Sequence, residues 1–203
     1  MESNKIRDEL LKSGIISAAA AGEEDGENNT PDSVNAEECI EYEGKKNIIL
    51  IGMPGCGKST IGRKLAKDYG FVFSDADSEV AQKFGMSAAE CINSCGEAEF
   101  RRRESEVLKE YLPDKRMCIA TGGGVVTVPG NLDILKKLGF IVYLKRDLDK
   151  LSVKGRPLSA GKGVEQLYRE RSVFYESWCD GSVMNKTIPE TVSRIMQMYS
   201  EKI

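Results

Sequence analysis

Apolar positions fall into short runs separated by amphipathic stretches, and this alternation begins at Asn47. Ile48–Ile51 is a continuous apolar run closed by Gly52, the pattern of a strand buried on both faces. From Lys58 to Tyr69 the spacing predicts a helix with Ile61, Leu65 and Ala66 on one face. Phe71–Phe73 reads as a second strand leading to two aspartates, and helices are predicted over 78–84 and 88–112. Met117–Ala120 is a third strand that runs into Gly122, Gly123 and Gly124. Pro129 and Gly130 open a helix through Leu138, and Phe140–Leu144 is a fourth strand. A helix over 166–178, a short strand over 182–184 and a closing helix over 189–199 complete the pattern. Such alternation predicts the α/β class: a parallel sheet of about five strands, covered by helices on both faces. Ligands of these sheets bind at the carboxyl ends of the strands, and the first three strands here each end in Gly or Asp.

Residues 1–45 lack the pattern. Residues 6–16 could form a short helix, but Ala21 to Glu43 is rich in Glu, Asp, Asn, Gly and Ala with almost no large apolar residues. A stretch of that kind buries too little surface to offset the entropy of ordering. The expected organisation is a disordered acidic arm over 1–45 and one folded domain over 46–203.

The chain has 203 residues, 40% of them hydrophobic, which suits one domain with one core. A net charge of -3 argues against a nucleic-acid partner, and no apolar run approaches the roughly 18 residues of a membrane span. The N-terminus has neither the layout of a secretory signal nor the composition of a transit peptide, so a cytoplasmic location is expected. Six cysteines sit in glycine-loop, strand or helix contexts that read as small buried hydrophobes; Cys91 and Cys95, four apart, could share a helix face. The complete absence of histidine excludes Ser-His-Asp and Cys-His catalysis and the usual zinc sites. Carboxylates, Lys, Arg, backbone amides and a hard metal ion remain.

Gly52-Met53-Pro54-Gly55-Cys56-Gly57-Lys58-Ser59 matches the phosphate-loop pattern at every fixed position, between an apolar strand and an amphipathic helix. Glycines let backbone N–H groups turn inward around phosphates, and the following helix presents its positive end. Lys58 can reach the outer phosphates and the Ser59 hydroxyl can ligate Mg²⁺. The segment Gly55, Cys56, Gly57, Lys58, Ser59 and Thr60 is the predicted nucleotide-binding set. No NKxD guanine signature accompanies it. Asp75 and Asp77 follow the second strand; on an extended segment their side chains share a side, so one could assist Mg²⁺ and the other hold an acceptor hydroxyl. The plainer reading is a helix cap with a first-turn acid.

Farther along come Gly96-Glu97-Ala98-Glu99-Phe100-Arg101, then Gly122-Gly123-Gly124, Arg156-Pro157-Leu158, and Arg171 with Tyr175 four residues on. Together with the phosphate loop and the Asp-x-Asp, in this order, these segments resemble shikimate kinase from residue 47 to about 200. The resemblance implies a P-loop kinase fold with a short lid, and transfer of phosphate from ATP, with Mg²⁺, to the 3-hydroxyl of shikimate. It further implies that Asp77 binds the ring hydroxyls and orients or deprotonates the acceptor. Arg101 and Arg171 would grip the carboxylate beside Gly123 and Gly124, Asp75 would lie near Mg²⁺, and Arg156 would approach the transferring phosphate. The catalytic set is then Asp77, Lys58 and Arg156, in a monomer whose partners are shikimate and ATP, with no nucleic acid and no membrane.

The chain departs from this pattern between Leu144 and Arg156, where it is shorter than the family and lacks the Arg that packs against adenine. Lys154 is a candidate replacement or a solvated loop lysine, and the turn Asn185–Pro189 is expected at the adenine pocket. Two rival readings remain: a kinase for another small molecule, and a catalytically silent kinase-like module.

Overall fold

The computed structural model describes residues 16–17, 41–42, 47–113, 115–151 and 163–202. The chain divides into two units, Met1–Gly44 and Lys45–Ile203. In the first, Ile16–Ser17 and Glu41–Tyr42 pair antiparallel. The helix expected over 6–16 and most of the acidic arm lie outside the described residues, as do the lid residues Lys154 and Arg156.

In the second unit, the first apolar run forms β1 (Asn47–Ile51), with all five residues buried. Such a strand must lie in the middle of a sheet, and it does: β3 (Met117–Ala120) pairs on one side and β4 (Gly139–Lys145) on the other, both parallel. β2 (Val72–Asp75) flanks β3 and β5 (Gly181–Met184) flanks β4, giving the order β2-β3-β1-β4-β5 with every pairing parallel.

Seven α-helices are present among the described residues. α1 (Lys58–Tyr69) buries Ile61, Gly62, Leu65 and Tyr69 against the sheet. A Cβ at Gly62 would lie 2.5 Å from the Phe73 ring, so glycine sets how closely α1 approaches β2. α2 (Ala76–Phe84) follows β2 directly. α3 (Ala88–Cys95) starts on a capping box: Ser87 Oγ accepts from the Glu90 N–H at 3.3 Å, and the Ser87 N–H donates to Glu90 Oε2 at 2.8 Å. Then come α4 (Glu97–Leu108), α5 (Asn131–Leu138), α6 (Val164–Trp178) and α7 (Ile188–Ser200).

Three boundaries differ from expectation. The single helix expected over 88–112 is two, because Gly96 has φ 86° and ψ 163°, which no helix residue adopts, and the second ends at Leu108. The second strand extends to Asp75, and α2 begins at Ala76, so Asp77 sits in a first helical turn. Asp75 and Asp77 therefore straddle a strand-to-helix junction and do not share one extended segment. Of the cysteines, Cys56, Cys91 and Cys118 are buried as expected, while Cys95 is exposed. Among the described residues, no helix is long and apolar enough to cross a membrane.

Candidate active site

The loop leaving the central strand carries positive φ at Gly52 (143°), Gly55 (82°) and Gly57 (102°), the conformations that turn successive N–H groups to one side. Lys58 is buried, and its Nζ donates to the carbonyl oxygens of Gly52 (2.8 Å) and Met53 (3.0 Å), folding back over the loop. Cys56 is also fully buried, while Thr60 is exposed at the first turn of α1. Ser59 Oγ donates to Asp75 Oδ2 at 2.6 Å, so the Asp75 carboxylate at the end of β2 reaches the phosphate loop.

The loop is also anchored from the far side of the sheet. Asn185, after β5, donates from Nδ2 to the Cys56 carbonyl (2.7 Å) and accepts at Oδ1 from Thr191 Oγ1 (3.2 Å). A Cβ at Gly57 would lie 2.5 Å from that Asn185 amide.

The triple glycine follows β3 at the same edge, and each glycine makes room for a different partner. A Cβ at Gly122 would collide with Glu104 Oε1 and lie 2.7 Å from Asp77 Oδ1. One at Gly123 would lie 2.5 Å from the Pro54 ring of the phosphate loop, and one at Gly124 would fall inside the Arg101 guanidinium. The Gly123 carbonyl accepts from Arg171 Nη1 (3.1 Å) and from the Tyr175 hydroxyl, both on α6. Tyr175 stacks on Tyr143 of β4 at 5.0 Å, which fixes its hydroxyl.

Arg101 is buried on the inner face of α4 with Phe100, Glu104, Val107 and Leu108. Its Nη1 donates to Glu104 Oε2 (2.8 Å) and its Nη2 to Glu97 Oε1 (3.1 Å). Glu104 is wholly buried. Burial pushes its carboxyl above the usual range, Arg101 opposes that, and the neighbouring Asp77 charge adds to it. Arg101 and Arg171 both line a cleft of about 580 Å³ together with Glu97, Thr127 and Val128.

The predicted residues therefore converge at one edge. Lys58, Ser59 and Asp75 meet at the phosphate loop, while Asp77, Arg101, Gly123, Gly124 and Arg171 surround the triple glycine. Arg156 lies outside the described residues. Sequence reasoning missed Glu104 and Asn185 as structural partners. A Glu three residues after Arg101 and four after Phe100, on the helix face that carries the core residues, was the available signal for the first. Nothing local marked the second.

Comparison with known proteins places the chain in a family. The family model described as shikimate kinase matches residues 54–200. A shikimate kinase of Clostridium botulinum (strain Eklund 17B / Type B) is 38% identical over 161 residues, covering 76% of this chain and 97% of the relative. One from Caldanaerobacter subterraneus is 38% identical over 167 residues, covering 76% and 96%. A solved shikimate kinase from Acinetobacter baumannii, in complex with shikimate, superposes with a TM-score of 0.73 at 32% identity, covering 79% of this chain and 96% of that one.

Proposed function

The chain belongs to the shikimate kinase family, and on that footing we propose that it transfers the γ-phosphoryl group of ATP to the 3-hydroxyl of shikimate. The products are shikimate 3-phosphate and ADP, a step of chorismate and aromatic amino acid biosynthesis. The observation that carries the reading is the meeting of the phosphate loop with a cluster of two arginines and two carboxylates around Gly122–Gly124, all buried but the half-buried Asp77. An acceptor with both a carboxylate and ring hydroxyls suits that cluster: guanidinium groups hold the planar carboxylate, and Asp77 faces the hydroxyls.

In the transfer, a bond forms between the 3-oxygen and the γ-phosphorus while the bond from that phosphorus to the β,γ-bridging oxygen breaks. The hydroxyl proton passes to the Asp77 carboxylate. Little covalent work is asked of the protein, so alignment and charge neutralisation dominate. Lys58 leaves its carbonyl partners to meet the phosphates, and Arg101 and Arg171 fix the ring so that its hydroxyl points along the line of transfer. Ser59 and Asp75, already in contact, are hard oxygen donors of the kind Mg²⁺ takes, and they would hold it there to screen the β- and γ-phosphate charge. Arg156 is assigned to the transferring phosphate. Residues 1–45 take no part in catalysis on this reading, and the protein acts as a cytoplasmic monomer on small molecules alone.

A coupled ADP-release assay with Mg·ATP tests the proposal, offering shikimate, gluconate and nucleoside monophosphates separately. Turnover with shikimate alone supports it. Turnover with another acceptor, or none with any despite ATP binding, overturns it.

A further inference from the structure

Cys91 and Cys95 stand one helical turn apart on α3, and no step of the transfer uses either thiol. Cys91 is wholly buried, packed with Val80, Phe100 and Val107, while Cys95, the last residue of the helix, is exposed. The Arg103 guanidinium stands beside the pair, seated on the Phe84 ring at 4.8 Å with its Nε on Glu99 at 2.7 Å. Burial pushes the Cys91 thiol up, Arg103 opposes this, and the nearby Cys95 sulfur adds to the rise. One thiol is thus open to solvent and the other is sheltered next to a cation, the division between an attacking and a resolving cysteine.

Distance decides how such a pair can close. Four residues apart on a regular helix, Cα atoms are about 6 Å apart, inside the range a disulfide spans. The Cβ atoms stand about 5–6 Å apart, however, and a disulfide needs about 3.5–4.5 Å. Closing the bond therefore draws the two residues together by about 1–2 Å. Cys91 is held by the core, so Cys95 moves. The joint after it has room, since even a Cβ at Gly96 would meet nothing within 4 Å. The first contact to give is that of the Gly96 N–H with the Ile92 carbonyl (3.1 Å), which closes the last turn of α3. The Gly96 carbonyl accepts from the Phe100 N–H (3.3 Å) at the start of α4, and the next residue, Glu97, holds Arg101 Nη2 at 3.1 Å. A pull on Cys95 passes through one residue to the pair that sets the Arg101 guanidinium.

We propose that Cys91 and Cys95 form a reversible disulfide under peroxide, and that its closure weakens acceptor binding through Gly96, Glu97 and Arg101. The Cys95 thiolate attacks a peroxide oxygen and the O–O bond breaks. Cys95 is left as a sulfenic acid, and the departing hydroxide takes the Cys95 proton and leaves as water. The Cys91 sulfur then attacks the Cys95 sulfur, the S–S bond forms and the S–O bond breaks. The second hydroxide leaves as water with the Cys91 proton. Two thiols are oxidised to one disulfide, and one peroxide is reduced to two waters. Arg103 stabilises the Cys91 sulfur as it sheds its proton. A bond strained in this way is easily reduced by a small thiol, which makes the change reversible. The effect on the acceptor rests on the kinase reading, whereas the bond itself does not.

The test uses the full chain, freed of reductant and treated with hydrogen peroxide. The tryptic fragment 84–101 contains both cysteines; it should lose the mass of two hydrogens, resist alkylation after denaturation, and recover with dithiothreitol. With the bond closed, the KM for shikimate should rise about 2- to 10-fold while the KM for ATP stays nearly unchanged, and reduction should reverse the rise. Cys95→Ser, a change at an exposed position, should keep wild-type kinetics before and after peroxide. An unaltered fragment, oxidation that stops at Cys95 with Cys91 still alkylated, or a closed bond that leaves the KM for shikimate unchanged would overturn the proposal. Failure of the kinase reading has a separate signature: reduced wild type that transfers nothing to shikimate, whatever the mass of the fragment.

Discussion

Gly124→Ala isolates the role of Arg101 without touching its chemistry. Gly124 has φ −102° and ψ 4°, angles that alanine can adopt, so the backbone is not strained by the change. The new methyl would instead occupy the space of the Arg101 guanidinium, the far end of a flexible side chain that can swing away. Swinging breaks the bonds to Glu104 (2.8 Å) and Glu97 (3.1 Å) and moves the guanidinium from the cleft it shares with Arg171. Losing a charge-assisted hydrogen bond to the substrate carboxylate costs about 1.5–3 kcal/mol, or roughly 10- to 150-fold in affinity. Steady-state kinetics with saturating Mg·ATP should show that rise in the KM for shikimate, with the KM for ATP nearly unchanged.

Two further variants sharpen the test. Gly130→Ala meets nothing within 4 Å and should behave as wild type. Gly123→Ala would press on Pro54, 2.5 Å from its ring and 2.9 Å from its backbone nitrogen, so its effect should fall on ATP through the phosphate loop. Because Gly124→Ala acts only through Arg101, combining it with Arg101→Ala should cost no more than Arg101→Ala alone. A Gly124→Ala enzyme with wild-type KM for shikimate, or additive losses in the double variant, would refute the reasoning.

Asp77→Asn keeps the shape and removes the base, so kcat should fall about 10²- to 10⁴-fold while the KM for shikimate moves much less, as read by initial rates. The Glu104 carboxyl titrates above its ordinary 4.5, so its share of stability is complete below pH 4.5 and is lost as pH rises through the elevated value. Denaturant midpoints of wild type and Glu104→Gln should therefore diverge as pH rises above 4.5, the wild type losing ground; parallel curves would count against the buried carboxyl. Glu99 is held down to about 2 by hydrogen bonds from Arg102 and Arg103, so its share is present above pH 4.5 and lost as pH falls towards 2. Glu99→Gln should flatten the acid limb of the stability profile, and 1 M salt should shrink the difference because the group is only half-buried. A chain lacking residues 1–44 should retain wild-type turnover in the coupled assay.

Much of this was legible in the sequence because the relevant signals are local. An all-apolar run before Gly52 marked β1 as a strand buried on both faces, and the glycine spacing placed the phosphate loop. The first turn of α2 was harder, since Phe71–Asp77 carries strand and helix signals together and the junction is decided by pairing with β3. Gly96 was visible as a glycine but sits within a long helical pattern, and only its φ of 86° shows that it ends one helix and precedes another. Asn185 was opaque for a different reason. Its role comes from the parallel order of β1, β4 and β5, which brings residues far apart in the chain to one edge. Glu104 stands between these cases: its helix position marked it as buried, but its proximity to Asp77 depends on where β3 delivers Gly122.

Every cation assigned here to the phosphates or to the acceptor carboxylate, within the described residues, already has an oxygen partner. Lys58 holds two carbonyls of its own loop, Arg101 holds two glutamates, and Arg171 holds the Gly123 carbonyl. Binding is therefore an exchange of partners, not the first satisfaction of a bare charge, and each contact gains its net and not its gross energy. That places the loss expected for Gly124→Ala towards the lower part of its range. The three exchanges are not alike. A guanidinium has five donors, so Arg101 can meet a substrate carboxylate while keeping Glu104, and its position is set before the substrate arrives. Lys58 has a single ammonium and must give up at least part of its grip on Gly52 and Met53, so the loop carbonyls are released as the phosphates enter. The acceptor side is thus rigid and the nucleotide side adjusts. An arrangement of this kind puts binding energy into alignment of the hydroxyl with the γ-phosphate rather than into tight ground-state affinity, which is the use of binding energy that raises kcat.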